Sequence, residues 1–487
     1  MKSLVLTVTL GFIPLVLCVI AEQPSRHRSV LIITPPMSGH LSVPIALGEE
    51  LVRRGHNVTL FTLEIRNYDR PRKSVEEAGM KYLSVDVNIT YDDFEAATEA
   101  ISLSNDTLGM FRKLTGGVPL IQRAMQNAES ALDGALLRNY DIILTTEFSF
   151  PVAMCMSKKW NVPLIHVGCA RQIFPHQLPS WPHPGPLSRR TDDVNFMGRL
   201  SETVYRYIES VLFSVIVEVI GLKLQCPYEL STLARAAGVL VPHIVPTAIG
   251  FEYPRPLSPL TTYVGPILPP VTDPLPGEIQ MWLDSRPIGS VVYISMGSLA
   301  FITPQLARAI VEGLDATGYN ALSIRMAILH GGMNGVQEAL HSGVPIIVLP
   351  LGGDQPANAV RVVHGGFGIQ LNHNTITGTQ ITEGIHTIER GNYSKTVNRL
   401  RKIFHHAGGV TKAADLVELY AEVGYDHLIP AYARYGWTWI QYYNVDVYGL
   451  LLVIGGGVVW IVLRLCRCAC GRCCRCISLF SNKPKQE

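Results

Sequence analysis

Charge is scarce in this chain. Only 16% of its residues are Asp, Glu, Lys or Arg, and the two signs nearly cancel to a formal net charge of +2. A largely disordered chain needs many charges and few apolar groups, and 47% hydrophobic residues exclude it. No basic stripe interleaved with aromatics occurs, so nucleic acid is excluded as a partner. No Asp-x-Asp pair occurs either, so no metal is implied, and no other cofactor is called for. Tryptophan numbers 6 in 487 residues, with none between Trp282 and Trp437.

Long apolar runs are confined to the two ends. Lys2, the run Leu4 to Ile20 and small residues near Ala21 have the layout of a cleavable signal over residues 1–21. The second run, roughly Val447 to Leu465, carries no charge until Arg464 and is long enough to span a bilayer. Arg464, Arg467, Arg472 and Arg475 follow it, which places that end in the cytosol. The expectation is a single-pass type I membrane protein, with a luminal body, a transmembrane helix over 445–465 and a cytosolic tail over 466–487. Lys483 and Lys485 near the C-terminus resemble a dilysine retrieval signal for the endoplasmic reticulum. The shorter run Val211 to Ile220 contains Glu218 and reads as a buried or membrane-surface helix.

Cysteines divide by side of the membrane. Cys155, Cys169 and Cys226 fall in the luminal body, whereas Cys466, Cys468, Cys470, Cys473, Cys474 and Cys476 crowd the tail. Juxtamembrane cysteines beside arginines suit S-acylation; a zinc site would need better separated ligand pairs. Sequons begin at Asn57, Asn88, Asn105 and Asn392, and Asn57 lies against a predicted strand.

Inside these ends the pattern alternates strand and helix. Ser29–Thr34 reads as a buried strand, Ser42 to Arg54 as a helix stopped by Gly55, and Val58–Thr62 as the next strand. Asp141–Thr145 and Pro163–Val167 are further buried strands flanking a helix. A proline-rich stretch over 254–277 reads as a linker, after which Val291–Ser295, Gly297-Ser298 and a helix from Pro304 to Ala316 open a second βαβ unit. The α/β class follows, with parallel sheets in two doubly wound halves over 22–253 and 278–444.

The densest chemistry is His330-Gly331-Gly332-Met333-Asn334-Gly335-Val336-Gln337-Glu338, then a strand, then Asp354-Gln355. Glycines after a histidine let the backbone approach a ligand and open a helix whose N-terminus attracts an anion such as a diphosphate. Glu338 lies four residues after Asn334, on the same helix face, where a carboxylate can take a ribose diol. Asp354 and Gln355 stand at the carboxyl end of the strand, where open α/β sheets bind ligands, and suit sugar hydroxyls.

This block resembles the donor signature of the UDP-glycosyltransferases, particularly the membrane-bound UDP-glucuronosyltransferases. The resemblance implies a GT-B fold of two Rossmann-like domains and inverting, metal-independent transfer. The sugar, glucuronic acid or glucose, would pass from a UDP-sugar to a hydroxyl of a small lipophilic acceptor. By the same resemblance Ser298, His330, Gly331, Gly332, Asn334 and Gly335 would hold the diphosphate, Glu338 the ribose, and Asp354 with Gln355 the sugar. His40 matches the family's general base. Homo- or hetero-oligomers with related transferases are also compatible with it.

Two departures accompany the resemblance. The acid that partners the histidine would fall at Thr146, whereas the nearest acid here is Glu147, the candidate replacement. Between Gly318 and His330 the family has two further strands and a Trp-x-x-Gln element that stacks on uracil; here Asn320 to Arg325 runs almost directly into Met326 to His330. Loss of these strands should bare a sheet edge and lower donor affinity. Two readings stay open: an active transferase, or a truncated, catalytically inactive membrane-bound partner or regulator of active relatives.

Overall fold

The computed structural model describes residues 27–90, 126–132, 139–146, 149–168, 195–198, 200, 241–254, 257–269, 274–285, 291–297, 302–317, 324–352, 354–429 and 439–480. The signal, Glu147, Ser298, Cys169, Cys226, Asn105, the run 211–220 and the dilysine end lie outside them.

The first half opens with β1 (Ser29–Ile33), α1 (Ser38–Arg53), β2 (Asn57–Arg66), α2 (Arg70–Glu77) and β3 (Lys81–Thr90). It continues with β4 (Ile142–Thr145), α3 (Phe150–Trp160), β5 (Leu164–Val167), β6 (His243–Val245) and β7 (Thr261–Tyr263). The strands form one seven-stranded sheet ordered β3-β2-β1-β4-β5-β6-β7, and its pairings are parallel. Strands buried on both faces explain the unbroken apolar runs Val30–Ile33 and Ile142–Leu144. Even residues of β1 and β4, Val30, Ile32, Ile142 and Leu144, pack with Leu47 and Leu51 of α1. Odd residues Leu31, Ile33 and Ile143 pack with Val152, Ala153 and Met156 of α3. The loops leaving the neighbouring strands β1 and β4 therefore run to opposite faces and open a crevice between them. The strand β7 falls within the proline-rich stretch read as a linker.

The second half comprises α4 (Gly277–Asp284), β8 (Val291–Ser295), α5 (Pro304–Thr317), β9 (Ile324–Leu329), α6 (Met333–His341), β10 (Ile346–Val348), α7 (Gln355–His364), β11 (Gly368–Gln370), α8 (Gly378–Arg390) and α9 (Tyr393–Ala407). Its parallel sheet has four strands in the order β11-β10-β9-β8. The order runs straight through the sequence, yet the covering helices change sides. Leu306, Ala309 and Ile310 of α5 pack on Met326, Ile328 and Ile347, while Val336 and Leu340 of α6 and Val362 of α7 pack on Ala327, Leu329, Ile346 and Val348. The crossover through α5 thus has the opposite hand to those through α6 and α7. Because parallel crossovers are overwhelmingly right-handed, the α5 connection is the left-handed one, and it is the connection where the resemblance implies two further strands. Among the described residues β8 is an edge strand, with Tyr293 48% and Ile294 38% exposed.

A last helix of this body, α10 (Gly409–Val423), returns to the first half: Ala413, Ala414, Val417 and Tyr420 join the core of β1 and α1. Arg54 at the end of α1 bonds Glu50, Asp415 and Glu418. Where the chain crosses back, the Gly409 N–H donates to the Val264 carbonyl at 2.6 Å, and a Cβ on Gly265 would stand 2.8 Å from the Phe404 carbonyl.

Residues 429–487 form a separate compact unit. It holds α11 (Trp439–Tyr442) and the long helix α12 (Val445–Phe480). The segment Val445–Arg467 has mean hydropathy 2.2 and none of it is buried, so it is long and apolar enough to cross a membrane.

Candidate active site

The site forms where the carboxyl ends of the two sheets meet. His40 lies in the first turn of α1, whose proline at 44 is its fifth residue onward in the turn sequence His40-Leu41-Ser42-Val43-Pro44. Proline has no N–H, so the His40 carbonyl cannot receive its helical i+4 bond. The Thr34 hydroxyl donates to that carbonyl instead, at 3.2 Å, and shares a 3.2 Å bond with the Thr146 hydroxyl. Thr146 therefore serves the main chain beneath His40, through Thr34. Glu147, the candidate acid partner, lies outside the described residues.

In the second half, the loops after β8 and β9 leave toward opposite faces, so the crevice of this sheet opens between them. Gly297 and His330 line it. The His330 Nδ1–H donates to the Ser295 carbonyl at 3.4 Å. Gly297 has φ +79, and a Cβ there would come within 2.7 Å of the His330 ring atoms Cε1 and Nε2. Gly331 has φ +90 and leaves no room against Val348 Cγ1, 2.8 Å from an added Cβ. Both glycines are thus required, the first for ring contact and the second for the turn into α6. The first N–H groups of α6 lack intrahelical acceptors and point their dipole end at the crevice. Burial lowers the His330 pKa, opposed by the Ser295 bond and the Asp354 charge, so the ring is neutral near neutrality.

Asp354 caps the approach to α7. Enclosure raises its carboxyl, opposed chiefly by the Asn358 amide and a backbone N–H. Asn358 Nδ2 donates to Asp354 Oδ2 at 2.8 Å and to the Gly331 carbonyl at 2.9 Å. This buried amide went unrecognised in the sequence, although its place one helical turn after Asp354 is a usable signal. Gln355 spends its Oε1 on the N–H groups of Leu351 and Gly352, at 2.7 and 3.0 Å, which leaves its NH2 to donate to a ligand. Glu338 has an exposed side chain whose carboxyl is raised by partial desolvation.

Asn334 joins the two halves. Its Nδ2 donates to the Gly39 carbonyl at 2.8 Å and to Ser42 Oγ at 2.6 Å. The helix that presents His40 is therefore fastened to the helix that follows His330. Of the expected residues, His40, His330, Gly331, Gly332, Asn334, Gly335, Asp354 and Gln355 gather around these two turns, and Glu338 follows on α6.

This pair of Rossmann-like halves with a cleft between them defines the GT-B class of glycosyltransferase. Solved structures agree: the calicheamicin glycosyltransferase CalG4 superposes with a TM-score of 0.57 at 19% identity, over 82% of this chain and 99% of that one. LpCGTa, crystallised in complex with UDP, gives 0.51 at 16% identity over 80% and 98%. The family description "UDP-glucoronosyl and UDP-glucosyl transferase" matches residues 28–323 and 322–478, and the chain belongs to that family. The match breaks at the seam between α5 and β9. Relatives include UDP-glucuronosyltransferase 1A7 of Rattus norvegicus, 25% identical over 95% of each chain. UDP-glucuronosyltransferase 2B9 of Macaca fascicularis is 23% identical over 86% of this chain and 89% of its own.

Proposed function

We propose that this chain transfers glucuronic acid or glucose from a UDP-sugar to a hydroxyl of a small lipophilic acceptor, by a single displacement that inverts the anomeric carbon and uses no metal. His40 accepts the proton of the acceptor hydroxyl. The departing diphosphate is stabilised by the N-terminus of α6 and the backbone beside Gly297, with Ser298, the next residue in sequence, as a further donor. Asp354 and Gln355 hold the sugar, and Glu338 the ribose. The observation that carries this reading is the pair of bonds from Asn334, one helical turn past His330, to Gly39 and Ser42 on either side of His40.

The body resides in the lumen of the endoplasmic reticulum. Cys155 is disulfide-bonded, which suits an oxidising compartment, and α12 supplies the membrane anchor. The tail cysteines are acylated on the cytosolic side. Protease added to sealed microsomes should trim the tail and spare the body; digestion of the body would overturn this orientation.

One observation favours the alternative, a catalytically inactive partner of active relatives. The four-stranded second sheet keeps the diphosphate crevice but lacks a tryptophan to stack on uracil, a contact that contributes about 1–3 kcal/mol per base. Transfer from UDP-glucuronic acid or UDP-glucose to a phenol by the full-length chain in microsomes decides between the two. The active reading expects product that disappears in His40→Ala. Absence of product from the unaltered chain, together with no calorimetric UDP binding, establishes the inactive partner.

A further inference from the structure

We propose that Thr34 and Thr146 form a hydroxyl relay that positions His40 through its main chain. The inference rests on the reading of His40 as the base. Pro44 removes the N–H that would otherwise hold the His40 carbonyl. A carbonyl partly shielded from water gains from a donor, and Thr34, only 2% exposed, supplies one at 3.2 Å. A hydroxyl has a single proton. Since Thr34 gives its proton to the His40 carbonyl, its contact with Thr146 runs the other way, and Thr146, 3% exposed, donates to Thr34 Oγ1. The alternative acceptor for Thr34, the Pro35 carbonyl, is farther at 3.5 Å.

The relay joins the ends of the two strands that flank the first crevice. Thr34 follows β1 and Thr146 follows β4, where the Thr146 N–H reaches the Ile33 carbonyl at 3.4 Å. Donation in series polarises each hydroxyl and strengthens the next bond. The relay thereby fixes the Cα of His40 relative to the sheet, and with it the origin from which the imidazole reaches an acceptor. Neither threonine touches substrate; both are positioning residues. The resemblance puts an acid at this position; Thr146 instead reaches His40 from the backbone side, through Thr34.

The test uses the full chain with Thr34→Val, Thr146→Val, the double variant and Thr146→Ser. Two quantities are read: kcat and KM for sugar transfer, and the His40 imidazole NMR signals, assigned by their loss in His40→Ala. Each valine variant should lower kcat by roughly tenfold or more, with both KM values little changed, because small displacements of a reacting group are expensive. Thr146→Ser should retain unaltered kcat. The double variant should be no slower than Thr34→Val, since Thr146 acts only through Thr34, and both valine variants should move the His40 signals in the same direction. Additive losses, or unmoved His40 signals in Thr146→Val, would overturn the relay. If Thr34→Val fails to fold, Thr146→Val and Thr146→Ser carry the test. If the unaltered chain shows no transfer, the proposed activity fails, while the His40 signals still decide the relay.

Discussion

The first sheet has seven strands and an order that reverses at β1; the second has four and an order that never reverses. Yet both keep a crevice between two neighbouring strands whose loops part to opposite faces. In the first half these strands are β1 and β4, followed by His40 and Thr146. In the second they are β8 and β9, followed by Gly297 and His330. Such a crevice therefore depends on where helices leave adjacent strands and not on how many strands lie farther out. Among the described residues no strand pairs with the outer side of β8, and Tyr293 and Ile294 are exposed on a strand composed like a buried one.

The largest test of that contrast is a pair of truncations. Leu144→Ala, in the closed core of the first sheet at 1% exposure, should cost roughly 2–5 kcal/mol in urea unfolding. Ile294→Ala on the open edge of the second should cost under about 1 kcal/mol. Equal costs would mean that β8 is covered after all.

Next comes Gly297→Ala. Its added methyl meets the His330 ring and strains a left-handed backbone, so a loss of roughly 1–3 kcal/mol is expected. The same replacement at Gly39, where an added Cβ meets nothing within 4 Å, should change stability far less. A tolerant Gly297 would show that the ring does not rest on this turn.

The third test uses pH. The folded pKa of His330 lies below its ordinary value of 6.5, so the folded state resists protonation. The stability it contributes is fully present above pH 6.5 and is lost as pH falls through the lowered value. Thermal melts should show a shallower acid slope in His330→Gln than in the unaltered chain. A slope that does not change would place the ring in water.

The smallest effect belongs to the clasp between the halves. Ser42→Ala removes one of two acceptors of the Asn334 amide and should cost about 0.5–1.5 kcal/mol. Asn334→Asp sets a carboxylate against the Gly39 carbonyl and should loosen the halves further, read as faster hydrogen exchange in the first turn of α1. Unchanged exchange in Asn334→Asp would remove the clasp.

Much of this was legible in the sequence because apolar runs bounded by turns leave little choice. Val291–Ser295 forms a strand with the expected bounds, and Pro304 opens its helix. The helix after β1 begins at Ser38, four residues before the expected Ser42, because Met37 to Gly39 supply a workable first turn despite weak apolar signal. β7 was hidden by flanking prolines. Its three residues pair with β6 as an outer strand, where missing donors on one side are tolerated. The donor turn was readable because its glycines are fixed by local sterics. The bonds of Asn334 to Gly39 and Ser42 were not, since they depend on packing between residues 292 and 295 apart in sequence. The hand of the α5 crossover was equally invisible, being a property of three strands and two faces at once.

The meeting of Gly265 and Gly409 governs motion as well as packing. The chain passes from the first half to the second just after Val264 and returns at Gly409, and the two passages share one hydrogen bond. Two crossings pinned at one spot leave the halves few ways to move apart. The buried ion pair of Arg361 with Glu252, and Phe251 packed beside Phe367 and Phe404, hold the same region of the chain to the second half. A rotation of one half against the other would have to break the bonds of Asn334 to Gly39 and Ser42, and would carry His40 away from the turn of His330.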